Sequence, residues 1–213
     1  LGECLRSNDA IPNLDRRWNT TKYPIVLDLW RDDSMSGDGF TTIMNWSSYE
    51  TLTYQNERYG QKDVEFMKFI ELPRKVFPSS LEVALYKPRM KSSRNFSIPV
   101  PLDSLETSGW KVVDASQVCP DFHTYRRYIH QSKAEWSVAK GGYVVGKSGW
   151  FSCRSACYLA AGRPVVVQDT GFSKVLPAGE GVIGFRTFDE AEAGILEVEA
   201  NYRRHAKAAE GIA

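Results

Sequence analysis

Along this chain, short runs of strand character alternate with stretches whose apolar residues recur at helical spacing. Residues 40–46 (FTTIMNW) are rich in β-branched and aromatic side chains and predict a strand. The polar stretch that follows, to Tyr59, reads as a loop. Residues 62–70 carry Val64, Phe66, Met67, Phe69 and Ile70, an amphipathic helical pattern closed by Pro73. Short strands are predicted at 81–85 and 109–113. Asp121 is placed to cap a helix with Phe122, Tyr125, Tyr128 and Ile129 along one side. Residues 135–139 read as a short strand or turn, and 143–145 fit either state. A central helix is predicted over 150–161, stopped by Gly162, with strands following at 164–168 and 182–185. Thr187 and Glu190 have the spacing of a capping box, and Ile195, Val198 and Tyr202 mark the buried stripe of a last helix.

Short strands separated by helices imply parallel pairing with right-handed crossovers. The expected fold class is therefore α/β, a Rossmann-like, doubly wound, mainly parallel sheet over residues 39–213. Residues 1–38 have a different texture. Asn, Asp, Pro and Arg are scattered through them around one apolar run, 25–30, that reads as a single strand. This part is expected to be a connector, an N-terminal extension without a core of its own.

Composition narrows the function classes. Of 213 residues, 42% are hydrophobic and 25% charged, and the net charge of +1 gives no electrostatic reason to expect nucleic acid or an anionic membrane as partner. No apolar run approaches the roughly 20 residues of a membrane span. The four cysteines are too few for a disulfide framework in a chain of this size, so free thiols and a cytoplasmic setting are expected.

The chain lacks the Gly-x-Gly-x-x-Gly fingerprint of nicotinamide binding, a Walker A loop and a Gly-x-Ser-x-Gly elbow. His123 and His130 share a predicted helix but read as a solvated face. Candidate ligand groups gather instead at strand ends. Asn45 and Trp46 end the first strand, and Gly60 and Lys62 precede the first helix. Ser148, Gly149, Ser152, Arg154 and Ser155 surround the start of the central helix, and Asp169, Thr170 and Gly171 end the next strand. A helix that opens from a Gly/Ser turn presents unpaired N–H groups and the positive end of its dipole, which suits an anion. In a doubly wound sheet these turns face one crevice. N–H groups near Ser152, with Lys62 or Arg154, would clamp a diphosphate, and Asp169 could accept from sugar or ribose hydroxyls. Each residue also has a structural reading: Lys62 as a surface charge, Arg154 as the partner of an acid, Ser152 as a cap. No Asp-x-Asp occurs, so no metal and no other cofactor is expected.

Taken together these residues resemble the donor-binding C-terminal half of GT-B glycosyltransferases, the two-Rossmann nucleotide-sugar enzymes. Leu159-Ala160-Ala161-Gly162-Arg163-Pro164-Val165-Val166 looks like that family's A-x-G-x-P-V-V turn, and Thr170-Gly171, Gly179-Glu180-Gly181-Val182 and the segment from Thr187 fit the order. FTTIMNW, YGQKDVEF, SKAEWSVAK and SGWF-x-x-RS resemble a set found in bacterial glycosyltransferases. The resemblance spans residues 40–210. It implies a nucleoside diphosphate sugar as donor substrate, an acceptor of unknown identity, and an acceptor domain that would precede Leu1. It also implies that the turn after Trp46 and the Gly60–Lys62 segment approach the donor diphosphate and sugar, and that the helix start from Gly149 to Ser155 meets phosphate or ribose. One departure is evident. Where many retaining members carry a pair of glutamates, this chain has Gly149 and Cys157, so neither a retaining mechanism nor ribose recognition by glutamate carries over; Arg154 and Asp169 are the residues left for that contact. Two other readings stay open: a non-catalytic nucleotide- or sugar-binding module on the same fold, and an epimerase-like enzyme, which would need an acid/base pair beside the sugar.

Overall fold

The computed structural model describes residues 24–31, 37–86 and 99–213. In chain order there is a helical turn, α1 (Leu27–Trp30), a strand, β1 (Gly39–Met44), and a hairpin of β2 (Leu52–Tyr54) and β3 (Glu57–Tyr59). Helices α2 (Lys62–Met67) and α3 (Leu72–Lys75) lead to β4 (Ser80–Leu85), and α4 (Leu102–Thr107) leads to β5 (Lys111–Asp114). Helices α5 (Ala115–Val118) and α6 (Phe122–His130) precede β6 (Ala134–Ser137); α7 (Gly141–Val145) and α8 (Cys153–Ala160) precede β7 (Val165–Gln168). After β8 (Val182–Phe185) come α9 (Phe188–Ala200) and α10 (Tyr202–Ile212).

Six strands form one parallel sheet in the order β5-β4-β1-β6-β7-β8. From β1 the chain steps outward through β4 to β5, crosses back to β6 and steps outward the other way. This is the doubly wound Rossmann order expected from the alternation of strands and helices. The reversal falls between β1 and β6, which pair Phe40 with Ala134 and Thr41 with Glu135. Connections leave those two strands in opposite directions, so a crevice opens at their carboxyl ends.

The sheet's faces differ in chemistry because alternate side chains point to opposite sides. One face carries Phe40, Leu81, Trp136, Val166 and Phe185 against Phe66 and Phe69. Trp136 stacks on Phe185 at 5.6 Å and meets Phe66 edge-on at 5.5 Å, geometries that add to the burial term. On the other face β1 and β6 present Thr41 and Glu135, both buried. Thr41 Oγ1 bonds the hydroxyls of Ser132 and Tyr158, each at 2.6 Å. A second apolar cluster, including Trp30, Ile129, Tyr158, Leu159 and Val167, packs beside this polar strip.

Several local expectations change. Most of the expected 1–38 connector lies outside the described residues. The run 25–30 is not a strand: Arg31 N–H bonds Leu27 C=O at 2.8 Å, and Trp30 inserts edge-on against Phe122 and Tyr125. Side chains of α6 hold the carbonyls of that turn, Arg126 bonding Leu29 and His130 bonding Trp30, which favours a helical turn over an unpaired strand. The expected loop before Tyr59 contains the β2–β3 hairpin. Gln55 and Asn56, both at positive φ, form its two-residue turn, whose twist suits antiparallel strands. Pro73 does not end the first helix but sits in the first turn of α3, where its missing N–H costs nothing. The last helix is two, broken at Asn201 with φ −126° and ψ 33°.

Candidate functional site

The crevice between β1 and β6 is occupied by a cavity of about 640 Å³. Four of the expected site residues line it: Asn45, Lys62, Ser152 and Arg154. They reach it from three elements for local reasons. Strand β1 ends at Met44, so Asn45 is its first residue past the sheet; Trp46 then turns into the core against Phe66. Trp46 C=O accepts from Asp63 N–H at 3.1 Å, which draws the start of α2 to the end of β1 and brings Lys62 to the cavity. The central helix begins three residues later than its apolar pattern implies. Trp150 and Phe151 lie outside it, and Ser152 is its N-cap, accepting from Arg154 N–H at 3.2 Å.

Arg154 is the most constrained of these groups. Its Nε donates to Glu135 Oε1 at 2.7 Å and its Nη1 to Ile43 C=O at 2.6 Å. Nη2 is buried without a partner among the described residues, as is Glu135 Oε2. Burial works against the guanidinium charge, but Glu135, with Tyr125 and Tyr158, outweighs it and holds the pKa above its ordinary value. Lys62 has the opposite balance. Burial, followed by the charge of Arg154, pulls its ammonium well below the ordinary lysine range, and Glu135 opposes this only in part. Lys140 also lines the cavity, with its ammonium 4.5 Å from the centre of the Tyr49 ring. Tyr125, Tyr143 and Trp150 supply aromatic wall, the last two stacked at 4.9 Å.

The remaining expected residues lie beside the cavity without lining it. Trp46 is core. Gly60 C=O accepts from Gly142 N–H at 3.0 Å and seats α7 against the hairpin. Ser148 Oγ accepts from Trp150 N–H at 3.3 Å, and Gly149 N–H donates to Thr170 C=O at 2.9 Å. Thr170 Oγ1 returns a bond to Trp150 C=O at 2.6 Å. Gly171, at φ +101°, packs so closely that a Cβ would lie 3.3 Å from Lys147 C=O. Asp169 accepts from Gly171 N–H and Ser173 Oγ, both at 2.8 Å, and pairs with Arg186. Burial opposes its charge, but these donors win and hold its carboxyl below the usual aspartate value. Thr170 and Gly171 thus brace the Lys147–Trp150 loop, while Asp169 holds the turn that follows β7. Ser155 is buried and lines a separate void of about 10 Å³. His130 is engaged with Trp30, and neither it nor His123 lines the cavity.

Sequence reading missed Lys140, Tyr125, Tyr143 and Trp150 as cavity residues, and Glu135 as the partner of Arg154. Only Glu135 left a signal: in Ala134-Glu135-Trp136-Ser137 the alternation places it opposite Trp136, hence buried on the other face. No group of three or more metal-ligating side chains occurs among the described residues. No described helix is long and apolar enough to cross a membrane.

A parallel six-stranded sheet in this order, with a cavity at its switch point, defines a Rossmann-like α/β domain that matches the GT-B type of fold. No family model matches the chain, and no curated protein does. Among solved structures it is similar to TarM, with a TM-score of 0.54 at 8% identity over 85% of this chain and 32% of that one. Looser likenesses are a pneumococcal O-GlcNAc transferase, GtfA, solved with UDP and GlcNAc (TM-score 0.46, 12% identity, 86% of this chain and 34% of that one), and a GtfA/B complex (0.40, 10%, 83% and 33%). At such identities the likeness to TarM is one of fold, and the other two bear no weight. The chain spans about a third of the length of each.

Proposed function

We propose that this chain is the donor-binding domain of a nucleotide-sugar-dependent glycosyltransferase. The observation that carries the reading is the convergence of two basic side chains, Lys62 and Arg154, on one cavity at the sheet's switch point. Two cations and an N-capped helix start are a fitting receptor for a diphosphate, and the stacked Tyr143–Trp150 pair offers an aromatic surface to a base. In the transfer an acceptor oxygen attacks sugar C1, the C1–O bond to the diphosphate breaks, and its electron pair leaves with the nucleoside diphosphate. Lys62 and Arg154 would stabilise the charge that develops there, without need of a metal.

Among the described residues, no carboxylate and no imidazole lines the cavity. In this reading a carboxylate or imidazole that deprotonates the acceptor would come from an acceptor-binding domain. A non-catalytic binding module is the second reading.

Titration of the 213-residue chain with UDP, ADP and GDP by calorimetry tests the proposal. One of these should bind, and Lys62→Met and Arg154→Met should each weaken it by about tenfold or more, the order expected for one charge-assisted contact. Unchanged binding in both variants would refute it. Sugar transfer that appears only when an acceptor-binding domain is supplied would separate the transferase from the binding module.

A further inference from the structure

Lys62 differs from Arg154 and Lys133. Arg154 and Lys133 each have a carboxylate partner, Glu135 and Glu199. Lys62, the first residue of α2, is 7% exposed and has no hydrogen-bonded or ion-paired partner among the described residues. The charged and titratable groups around it come from every neighbouring element. Helix α8 contributes Arg154 and Cys153, the segment before α7 contributes Lys140, and β6 contributes Glu135. One Glu135 oxygen is committed to Arg154. On its own helix, Glu65 is held by Lys68 and by Gln168 Nε2, and Asp63 is buried with Oδ1 unpartnered. Two fixed cations therefore border the same cavity as a lysine that lacks an anion of its own.

We infer that Lys62 takes up a proton when the cavity binds a phosphate anion, so that the site discriminates among ligands by their negative charge. This rests on the diphosphate-site reading above and adds to it a rule of selection. With the cavity free of ligand, burial and Arg154 disfavour the ammonium form. An arriving phosphate supplies the missing counter-charge and reverses that balance. Lys62 then binds a proton that the free protein holds weakly, and ligand and proton bind cooperatively. A ligand with more negative charge pulls harder on that proton, so affinity should climb from monophosphate to diphosphate by more than the added contacts alone would give. Arg154, locked by Glu135 and the Ile43 carbonyl, stays charged throughout and supplies the part of the affinity that does not depend on pH.

The test is calorimetry of inorganic pyrophosphate binding to the 213-residue chain, in buffers of differing ionisation enthalpy and over a series of neutral to alkaline pH values. After correction for pyrophosphate's own titration, wild type should show net proton uptake. Its affinity should fall as pH rises between the free-state and bound-state lysine values, by up to about tenfold per pH unit. Lys62→Arg, whose guanidinium does not titrate in this range, should bind with less uptake and a flatter profile. Equal uptake in wild type and Lys62→Arg overturns the inference while leaving the phosphate site intact. Should that variant not fold, wild-type affinity that holds constant with pH overturns it as well. Failure of wild type to bind pyrophosphate at any pH overturns the diphosphate-site reading, and this inference with it.

Discussion

Replacing Glu135 by Ala should destabilise the domain far more than the loss of one surface carboxylate would. Glu135 is fully buried on β6, and the Arg154 side chain that it holds is itself only 10% exposed. Without the carboxylate, the guanidinium keeps its bond to the Ile43 carbonyl but loses the partner of Nε, and Nη2 is already unpartnered. A buried cation left in this state costs about 3–5 kcal/mol, a large share of the 5–15 kcal/mol typical of a whole domain. Removing both members has a different consequence. Glu135→Leu combined with Arg154→Met deletes the pair and fills its space with apolar atoms, which is commonly neutral or stabilising by about 1–4 kcal/mol. Urea unfolding of the wild type, the single variant and the double variant would read both numbers. The double variant should recover most of what the single one loses, yet should not bind nucleoside diphosphate. If Glu135→Ala lies within about 1 kcal/mol of wild type, or the double variant is no more stable than the single one, the buried pair is not what holds Arg154.

Thr41→Val removes an oxygen that bonds both Ser132 and Tyr158; Ser132 keeps its bond to the Tyr128 carbonyl, but the buried Tyr158 hydroxyl loses this partner, so unfolding measurements should show a loss of about 1–3 kcal/mol. Thr187→Ala deletes one side of the capping box observed with Glu190 at the start of α9 and should cost about 0.5–2 kcal/mol by the same assay. Asp169 has a carboxyl pKa held below that of the unfolded chain, so its contribution is full above the unfolded value and is lost as pH falls through the folded one. Melting temperatures recorded down that acidic limb should therefore fall less steeply for Asp169→Asn, from a lower starting point, than for wild type.

The architecture was legible because a parallel sheet buried on both faces leaves little freedom in its sequence. Runs such as Val165-Val166-Val167 have no polar side to expose, and the stripes of α6 and α9 carry their own caps at Asp121 and Thr187. The errors fell where local pattern is shared by two outcomes. An apolar run ending in a tryptophan suits an edge strand or a helical turn, and α1 was decided by a tertiary contact, Trp30 against α6. The hairpin tip, Gln55-Asn56, lacks the glycine that usually marks such a turn. At Asn201 nothing in the apolar spacing marks the break, because Val198 and Tyr202 keep helical register across it.

The candidate site was legible only in outline, for a reason that lies in the sheet itself. Topology sends the ends of β1 and β6 and the starts of α2 and α8 to one crevice, so choosing residues near strand ends finds Asn45, Lys62, Ser152 and Arg154 together. Topology does not say which neighbours face the crevice and which face the loop behind it. Ser148 and Ser152 sit four residues apart in similar Gly/Ser-rich sequence, yet one is turned back onto the Trp150 N–H of its own loop and the other opens on the cavity. That division depends on the Thr170–Trp150 and Gly149–Thr170 bonds, which join segments about twenty residues apart. The polar strip behind the cavity follows the same logic. Thr41, Glu135 and Tyr158 are ordinary residues in sequence, and only parallel pairing of β1 with β6 sets Thr41 beside Glu135, beneath α8. A Rossmann face that buries a carboxylate there must also bury a cation. Helix α8, which begins at the crevice, brings Arg154 to that carboxylate while Arg154 still borders the cavity. Fold and cavity are thus coupled through one ion pair: the charge that makes this face of the sheet tolerable to bury also forms part of the cavity wall.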